Sequence, residues 1–458
     1  MQGFLAKTQA TAIIVRHLMG QSRIPYLPEE RLRKIRDARV RRIVHYAAET
    51  VPYYRDLLRE LKIDPRDIRR AEDLEHLPLV TKAFVREHAD LFLSTSASGK
   101  SAIPLRTSGT SGIPLTVWHD RESFLARFAY ELREKAVDIH MLGRRPGYRE
   151  VAIVFPGNVG SYAASWMREN TFVPYGVRVL RLSVLEPLTQ TVAAINNFRP
   201  DLLKGYGSYL EMLFKTVAAR GMHMHLPRLA VYFSDQMTDK GRRLIEHDFG
   251  VPVLSRYSAV EAAKIGFECE ERRGFHVHSD LTHLKIVDPA GRPAPTGEVG
   301  KVVISNLVNR GTVLINYLLG DRAALTGQLC PCGRTLPLLA ALDGRSDHVI
   351  HLSSGETVPP ATIWMLFEGP AHDGGDDVLQ YSLIQHTRDR FELRLATANR
   401  GAFERAVPRL LSRLRDVLGT VVIETVYYKG RLSLPEGGKV RTIVSHVDGE
   451  TRGKSCRC

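Results

Sequence analysis

Val151-Ala-Ile-Val-Phe155, Leu202-Leu-Lys-Gly-Tyr206, Leu229-Ala-Val-Tyr-Phe233 and Val251-Pro-Val-Leu-Ser-Arg-Tyr257 are short apolar runs. Between them lie TVAAINNF at 191–198, GSYLEMLFKTVAARG at 207–221 and KGRRLIEHDFG at 240–250, whose apolar residues recur at helical spacing. Runs of strand length that are apolar throughout suit strands covered on both faces, and strand alternating with helix predicts a largely parallel sheet flanked by helices. The fold class expected is therefore α/β.

The pattern changes on either side. HLKIVD at 283–288 and VGKVVISNLV at 299–308, separated by PAGRPAPTGE, read as strands of an antiparallel subdomain. Beyond residue 347, YSLIQHTRDRFELRLAT at 381–397 suggests a hairpin, FERAVPRLLSRLRDVLG at 403–419 an amphipathic helix and TVVIETVYY at 420–428 a strand. This predicts a large N-terminal domain over 1–345 and a small α+β domain over 346–458. The first seventy residues look helical. Within them, the apolar positions Leu32, Ile35, Val40, Ile43, Val44 and Ala47 share a helical face, so the basic run from Arg31 to Arg42 reads as the solvated face of a packed helix.

The chain has 458 residues, 44% apolar and 25% charged, which is the composition of a globular protein with more than one domain. A net charge of +14 raises binding to polyanions, but no nucleic-acid module accompanies the basic helix, and no nucleic-acid partner is expected. The N-terminal stretch is broken by Lys7 and Arg16 and reads as neither signal peptide nor anchor. Five cysteines in a chain this long make no disulfide framework, so a reducing, cytoplasmic setting is expected, with no integral membrane segment.

Residues 106 to 117 read RTSGTSGIPLTV. Gly109 and Gly112 allow backbone N–H groups to turn toward one anion, and Thr107, Ser108, Thr110 and Ser111 add hydroxyl donors, as a polyphosphate-wrapping loop needs. It is neither a P-loop nor a dinucleotide fingerprint. Alone, the loop reads equally well as a surface turn.

Other segments follow in order: Tyr257-Ser258-Ala259-Val260-Glu261, Asn316-Tyr317-Leu318-Leu319-Gly320-Asp321, Gly344-Arg345-Ser346-Asp347 and Gly438-Lys439-Val440-Arg441. Together with VPYYRDLLRELKIDPRDIRRAEDLEHLPLVTK at 51–82, they resemble the acyl-adenylate-forming superfamily in its phenylacetate:CoA ligase-like branch, which includes capsule-biosynthesis relatives. The resemblance runs from the VPYYR segment to Arg441. It implies an AMP-forming acid–thiol ligase with ATP, magnesium, CoA and a small carboxylic acid as its cofactors and substrates, and a homodimer. A transfer of the acyl group to an amine, a hydroxyl or a carrier-protein thiol is the nearest alternative. A non-catalytic polyanion-binding protein on the same fold is the alternative of another class.

The resemblance assigns roles residue by residue. Thr107 to Gly112 would hold the β- and γ-phosphates, Glu261 magnesium, Tyr257 and Ser258 the adenine side, and Asp321 the ribose hydroxyls, since a carboxylate has two acceptor oxygens for a vicinal diol. Arg345 would reach the nucleotide, Asp347 would be the hinge of a mobile small domain, and Lys439 would bridge the acid and the α-phosphate. Phe155, Gly205, Tyr206, Gly207, Ser234 and Asp235 would line the acid pocket. Asn316 stands where the branch often has Arg, Ser258 where Gly is common, and Ser234-Asp235 where a Gly- and Glu-containing turn is usual.

Cys269, His276, Cys330 and Cys332 supply three thiols and an imidazole, a full tetrahedral set for structural zinc, and some proteins of the branch have similar positions. Free thiols are the alternative, with His278 and His283 as other imidazole donors. Cys456-Arg-Cys458 reads as an exposed tail rather than a lipidation signal.

Overall fold

The computed structural model describes residues 2–97, 102–107, 115–143, 147–174, 178–262, 264–340, 342, 349–358, 362–363, 366–367, 378–433 and 440–447. Helices Gln2–Leu18, Glu29–Thr50 and Pro52–Glu60 open the chain. A proline restricts the residue before it to extended backbone and suits the first turn of a helix. Val51 accordingly sits at φ −111°, ψ 114°, ending one helix and starting the next at Pro52. On the long helix Leu32, Val40, Ile43, Val44 and Ala47 are buried, as their spacing predicts.

A nine-stranded sheet organises the molecule. Its strands are β3 (Glu150–Val154), β4 (Val179–Ser183), β5 (Leu202–Tyr206), β6 (Leu229–Phe233), β7 (Val253–Tyr257), β8 (Gly266–Glu268), β9 (Phe275–Val277), β13 (Leu325–Thr326) and β14 (Leu338–Leu339). Strands β4, β3, β5, β6 and β7 are mutually parallel, in that spatial order. From β7 the sheet continues antiparallel through β8 and β9, with β14 inserted between β9 and β13. The antiparallel strands expected at 283–288 and 299–308 lie apart from this extension. They form β10 (Thr282–Val287) and β11 (Gly300–Asn306), which with β12 (Tyr317–Ala323) make a separate three-stranded sheet.

A short hairpin, β1 (Ile103–Arg106) with β2 (Thr116–His119), frames the hydroxyl-rich loop. The C-terminal part begins with a small antiparallel pair, β15 (Ile350–His351) and β16 (Thr357–Val358). Beyond it β17 (Val378–Gln385) and β18 (Arg390–Thr397) pair antiparallel, with β19 (Val422–Lys429) parallel to β18 and β20 (Ile443–Ser445) parallel to β17. Helix Arg400–Leu418 buries Phe403, Ala406, Leu410, Leu414 and Leu418, which pack with Leu383, Phe391, Leu393 and Leu395 in a core of their own. Among the described residues, no helix is long and apolar enough to cross a membrane.

Candidate active site

In parallel α/β sheets, ligands collect outside the carboxyl ends of the strands. Here that edge carries Phe155, Tyr206, Ser234 and Tyr257, just beyond or at the ends of β3, β5, β6 and β7. Strand β7 is buried throughout, which fixes Tyr257. The Tyr257 hydroxyl donates to Asp321 Oδ2 at 2.6 Å, joining the large sheet to β12. Gly320, at φ +92° within β12, takes the positive φ that a side chain disfavours just before Asp321, beside a register shift in the pairing with β11.

Four residues beyond Tyr257, Glu261 is 5% exposed. Its Oε1 accepts from the Tyr317 hydroxyl at 3.2 Å, and Lys82 Nζ lies 3.7 Å away. Its backbone carbonyl accepts from Asn306 Nδ2 at 2.9 Å. Neither Lys82 nor Tyr317 had a role in the sequence reading, although both fall in segments that carry the resemblance. What joins them is long-range: Val80 N donates to Asn316 O and Leu318 N to Val80 O, so residues 80–82 run beside the start of β12. Thr81 then caps helix Lys82–Glu87 by accepting from Phe84 N.

Asn316 holds this junction. It is fully buried at φ 53°, and its Nδ2 donates to Leu74 O at 2.6 Å and Leu77 O at 2.8 Å. Asn tolerates left-handed backbone better than other L-residues with a longer side chain. The departure from Arg at this position therefore has a structural reason in this chain.

At the hydroxyl-rich loop, Thr107 N donates to Leu115 O and Leu115 N to Thr107 Oγ1, both at 2.9 Å. The pair closes the neck of the loop. Ile103 and Leu105 of β1 pack in a cluster that Val260 adjoins, placing the hairpin against the Tyr257–Glu261 turn. Ser258 is exposed there. Ser108, Gly109, Thr110, Ser111, Gly112, Arg345, Asp347 and Lys439 lie outside the described residues, as does the domain boundary expected at 345/346.

The residues expected to line the acid pocket are neighbours. Phe155 N donates to the Tyr206 hydroxyl, and the Ser208 hydroxyl donates to Asp235. A Cβ on Gly207 would lie 2.7 Å from the backbone of Gln236 and Met237, so the β5 and β6 ends touch main chain to main chain. Ser234 takes φ 74° at the turn out of β6.

Cys269, His276, Cys330 and Cys332 also converge, with one donor atom from each within 4.8 Å of all the others. Cys269 and Cys330 sulfurs are 3.6 Å apart, and Cys332 Sγ is 3.4 Å from His276 Nε2. Tetrahedral Zn–S bonds of about 2.3 Å set two sulfurs roughly 3.8 Å apart. The spacing fits that geometry and is far beyond a disulfide bond. Burial, with the Arg334 charge, pushes the His276 imidazole down to about 4, which keeps its ring neutral and able to donate a lone pair. His278 is elsewhere: its Nδ1 faces Arg133 and its Nε2 faces Glu134.

The phenylacetate-coenzyme A ligase of Thermus thermophilus is 27% identical over 460 residues, covering 93% of this chain and 99% of that protein. This chain is thus similar in sequence, nearly end to end, to a phenylacetate-coenzyme A ligase. Protein CapK of Staphylococcus aureus is 18% identical, with 90% of this chain and 89% of CapK covered. No family model matches the chain. Among solved structures, a 2-hydroxyisobutyryl-CoA ligase in its postadenylation state aligns over 92% of this chain and 91% of its own, with a TM-score of 0.72 at 22% identity. The same enzyme in its thioesterification state gives 0.59 at 22% identity over the same shares of the two chains. The fold is thus shared with the acyl-adenylate-forming CoA ligases.

Proposed function

We propose that this protein activates a small carboxylic acid with ATP and passes the acyl group to the thiol of CoA. The observation that carries this reading is the meeting, at one sheet edge, of the Tyr257–Asp321 pair, the Glu261 turn and the hairpin whose loop neck Thr107 closes. The likeness to phenylacetate-coenzyme A ligases supports it and puts aromatic acids first among the substrates to try.

A carboxylate acylates poorly because the oxide that would leave is too basic. In the first step its oxygen bonds to the α-phosphorus of ATP and pyrophosphate leaves. In the second the thiol sulfur, losing its proton, bonds to the acyl carbon and AMP leaves. Both steps need chiefly positioning and charge neutralisation. Asp321 would accept from the ribose hydroxyls, and Tyr257, bonded to it, would pack beside the adenine. The loop from Thr107 to Gly112 would cradle the β- and γ-phosphates. Arg345 and Lys439 would supply positive charge at the nucleotide and at the reacting oxygens, and Asp347 would be the hinge.

Glu261 is suited to magnesium, a hard cation that takes carboxylate oxygen together with substrate phosphate; when bound, it neutralises charge on the phosphate tail. Lys82 would add a fixed positive charge beside that carboxylate. The Cys269, His276, Cys330 and Cys332 set would hold zinc with no open position, so its role would be structural. A cytoplasmic homodimer completes the proposal.

Pyrophosphate release from ATP and magnesium, measured over a panel of aromatic, fatty and amino acids with and without CoA, tests the reading. Acid-dependent release should fall about a hundred- to a thousandfold in Lys439→Ala. Release that survives the substitution, or ATP stabilisation with no acid driving release, would sink it.

A further inference from the structure

The main body and the C-terminal part meet along a surface that the reaction chemistry above does not use. Strand β17 packs against helix Gly207–Ala219 of the main body. At the end of β19, Gly430 takes φ +80° with its N–H on Thr397 O at 2.8 Å, and Leu432 N donates to Gln380 Oε1 at 2.9 Å. Arg431, fixed between them, reaches out to the main body. Its Nη1 donates to Val184 O at 2.9 Å and Glu186 O at 3.4 Å, and its Nη2 to Leu185 O at 3.2 Å.

The three carbonyls belong to the turn after β4, and that turn is built without Arg431. Val184 N bonds Val154 O, Glu186 N bonds Ser183 O, and Leu185 N bonds Ser183 Oγ. A planar guanidinium fits several carbonyls at fixed spacing, whereas an ammonium fits one or two. Leu185 is 46% exposed, so water can reach both partners when they part. Charge-assisted bonds to neutral carbonyls at a wet seam are strong enough to bias a pose and weak enough to release it.

We propose that Arg431 is a positioning residue: it latches the C-terminal part onto the turn Val184–Glu186 in the pose that serves acyl-adenylate formation, and must let go for thioester formation. The closer overall superposition on the postadenylation state than on the thioesterification state of one and the same ligase supports the choice of pose. In sequence, Lys439 lies eight residues after Arg431. The inference rests on the two-step reading above.

The test uses the full chain and two readouts. Spin labels carried by an unnatural amino acid at exposed Leu226 and Val422 report the distance between the two parts in the free protein. Wild type should show one dominant distance, Arg431→Ala a second or broader population, and Arg431→Lys an intermediate one. With phenylacetate as the probe acid, ATP–pyrophosphate exchange should drop about tenfold in Arg431→Ala. AMP release from preformed phenylacetyl-adenylate on addition of CoA should stay within about twofold or rise. An unchanged distance distribution in Arg431→Ala, or equal loss of both half-reactions, overturns the latch. If wild type fails to turn over phenylacetate, the functional reading fails for that acid and the distance measurement alone decides the latch.

Discussion

Asn316 concentrates several demands on one side chain. It must sit in left-handed backbone, satisfy the carbonyls of Leu74 and Leu77 from full burial, and present its own carbonyl to Val80. A buried acceptor stripped of its donor keeps its desolvation penalty, about 1–3 kcal/mol each. Asn316→Ala should therefore lower unfolding free energy by about 3 kcal/mol in urea titration, with Asn316→Gly no better than slightly milder because it relieves only the backbone. Equal stability of wild type and Asn316→Ala would mean that residues 74–82 are held by other contacts. Because Lys82 follows this segment, the same substitution should also loosen the Lys82–Glu261 approach.

At the scale of elements, what could be read from the sequence were features of local period and local chemistry. The alternation from Val151 to Tyr257 gave β3 and β5 to β7 with their helices, and the C-terminal hairpin, helix and strand came out where their apolar spacing puts them. Tyr257, Glu261 and Asp321 were legible through short motifs in fixed order. Lys82 and Tyr317 were not legible as partners of Glu261, since their meeting depends on a bridge between Val80 and Tyr317 that no local pattern encodes. The antiparallel extension of the large sheet was hidden for the same reason: β14, two residues long, has no period to detect. The Cys and His set was legible by residue type, and its closeness only by coordinates. If the cluster holds zinc, purified protein should carry about one metal per chain by elemental analysis, lost in Cys330→Ser together with several degrees of thermal stability. Full stability without metal, in chelator-treated wild type, would assign these residues to packing alone.

Across the whole molecule a chain of buried charges ties the layers together. Arg133 and Asp280, both fully buried, form a two-pronged pair at 2.7 and 2.9 Å, joined by Arg39 from the long N-terminal helix at 2.9 Å. Lys264 bonds Glu134, while Arg256 and Lys204 share Asp138 beneath the sheet. Burial alone would raise the Asp280 carboxyl, but Arg133 and Arg39 override it and hold it well below the ordinary carboxylate range. Burial acts likewise on Glu134, and Lys264 and His278 override it. A carboxyl depressed in the folded state contributes stability that is full above its unfolded pKa, about 4, and lost as pH falls below it. Asp280→Asn should therefore cost about 3–5 kcal/mol at pH 7, by leaving two arginines facing a neutral amide, and should flatten the acid limb of a melting-temperature profile between about pH 4 and 2. Parallel acid limbs for variant and wild type would remove Asp280 from the acid transition.

The placement of β14 also has a consequence for the order in which the molecule can assemble. Chains leave the ribosome N-terminus first, and domains close as their parts emerge. The parallel half, through β7, has all its strands by residue 257, but β9 lacks its outer neighbour until residues 338–339 exist. Pro25 O waits equally long for its donor, Thr335 N at 2.8 Å. A nascent chain halted before Thr335 would thus expose an unpaired β9 edge and an unseated N-terminal segment together, making that stretch of synthesis the interval in which this protein most needs a chaperone.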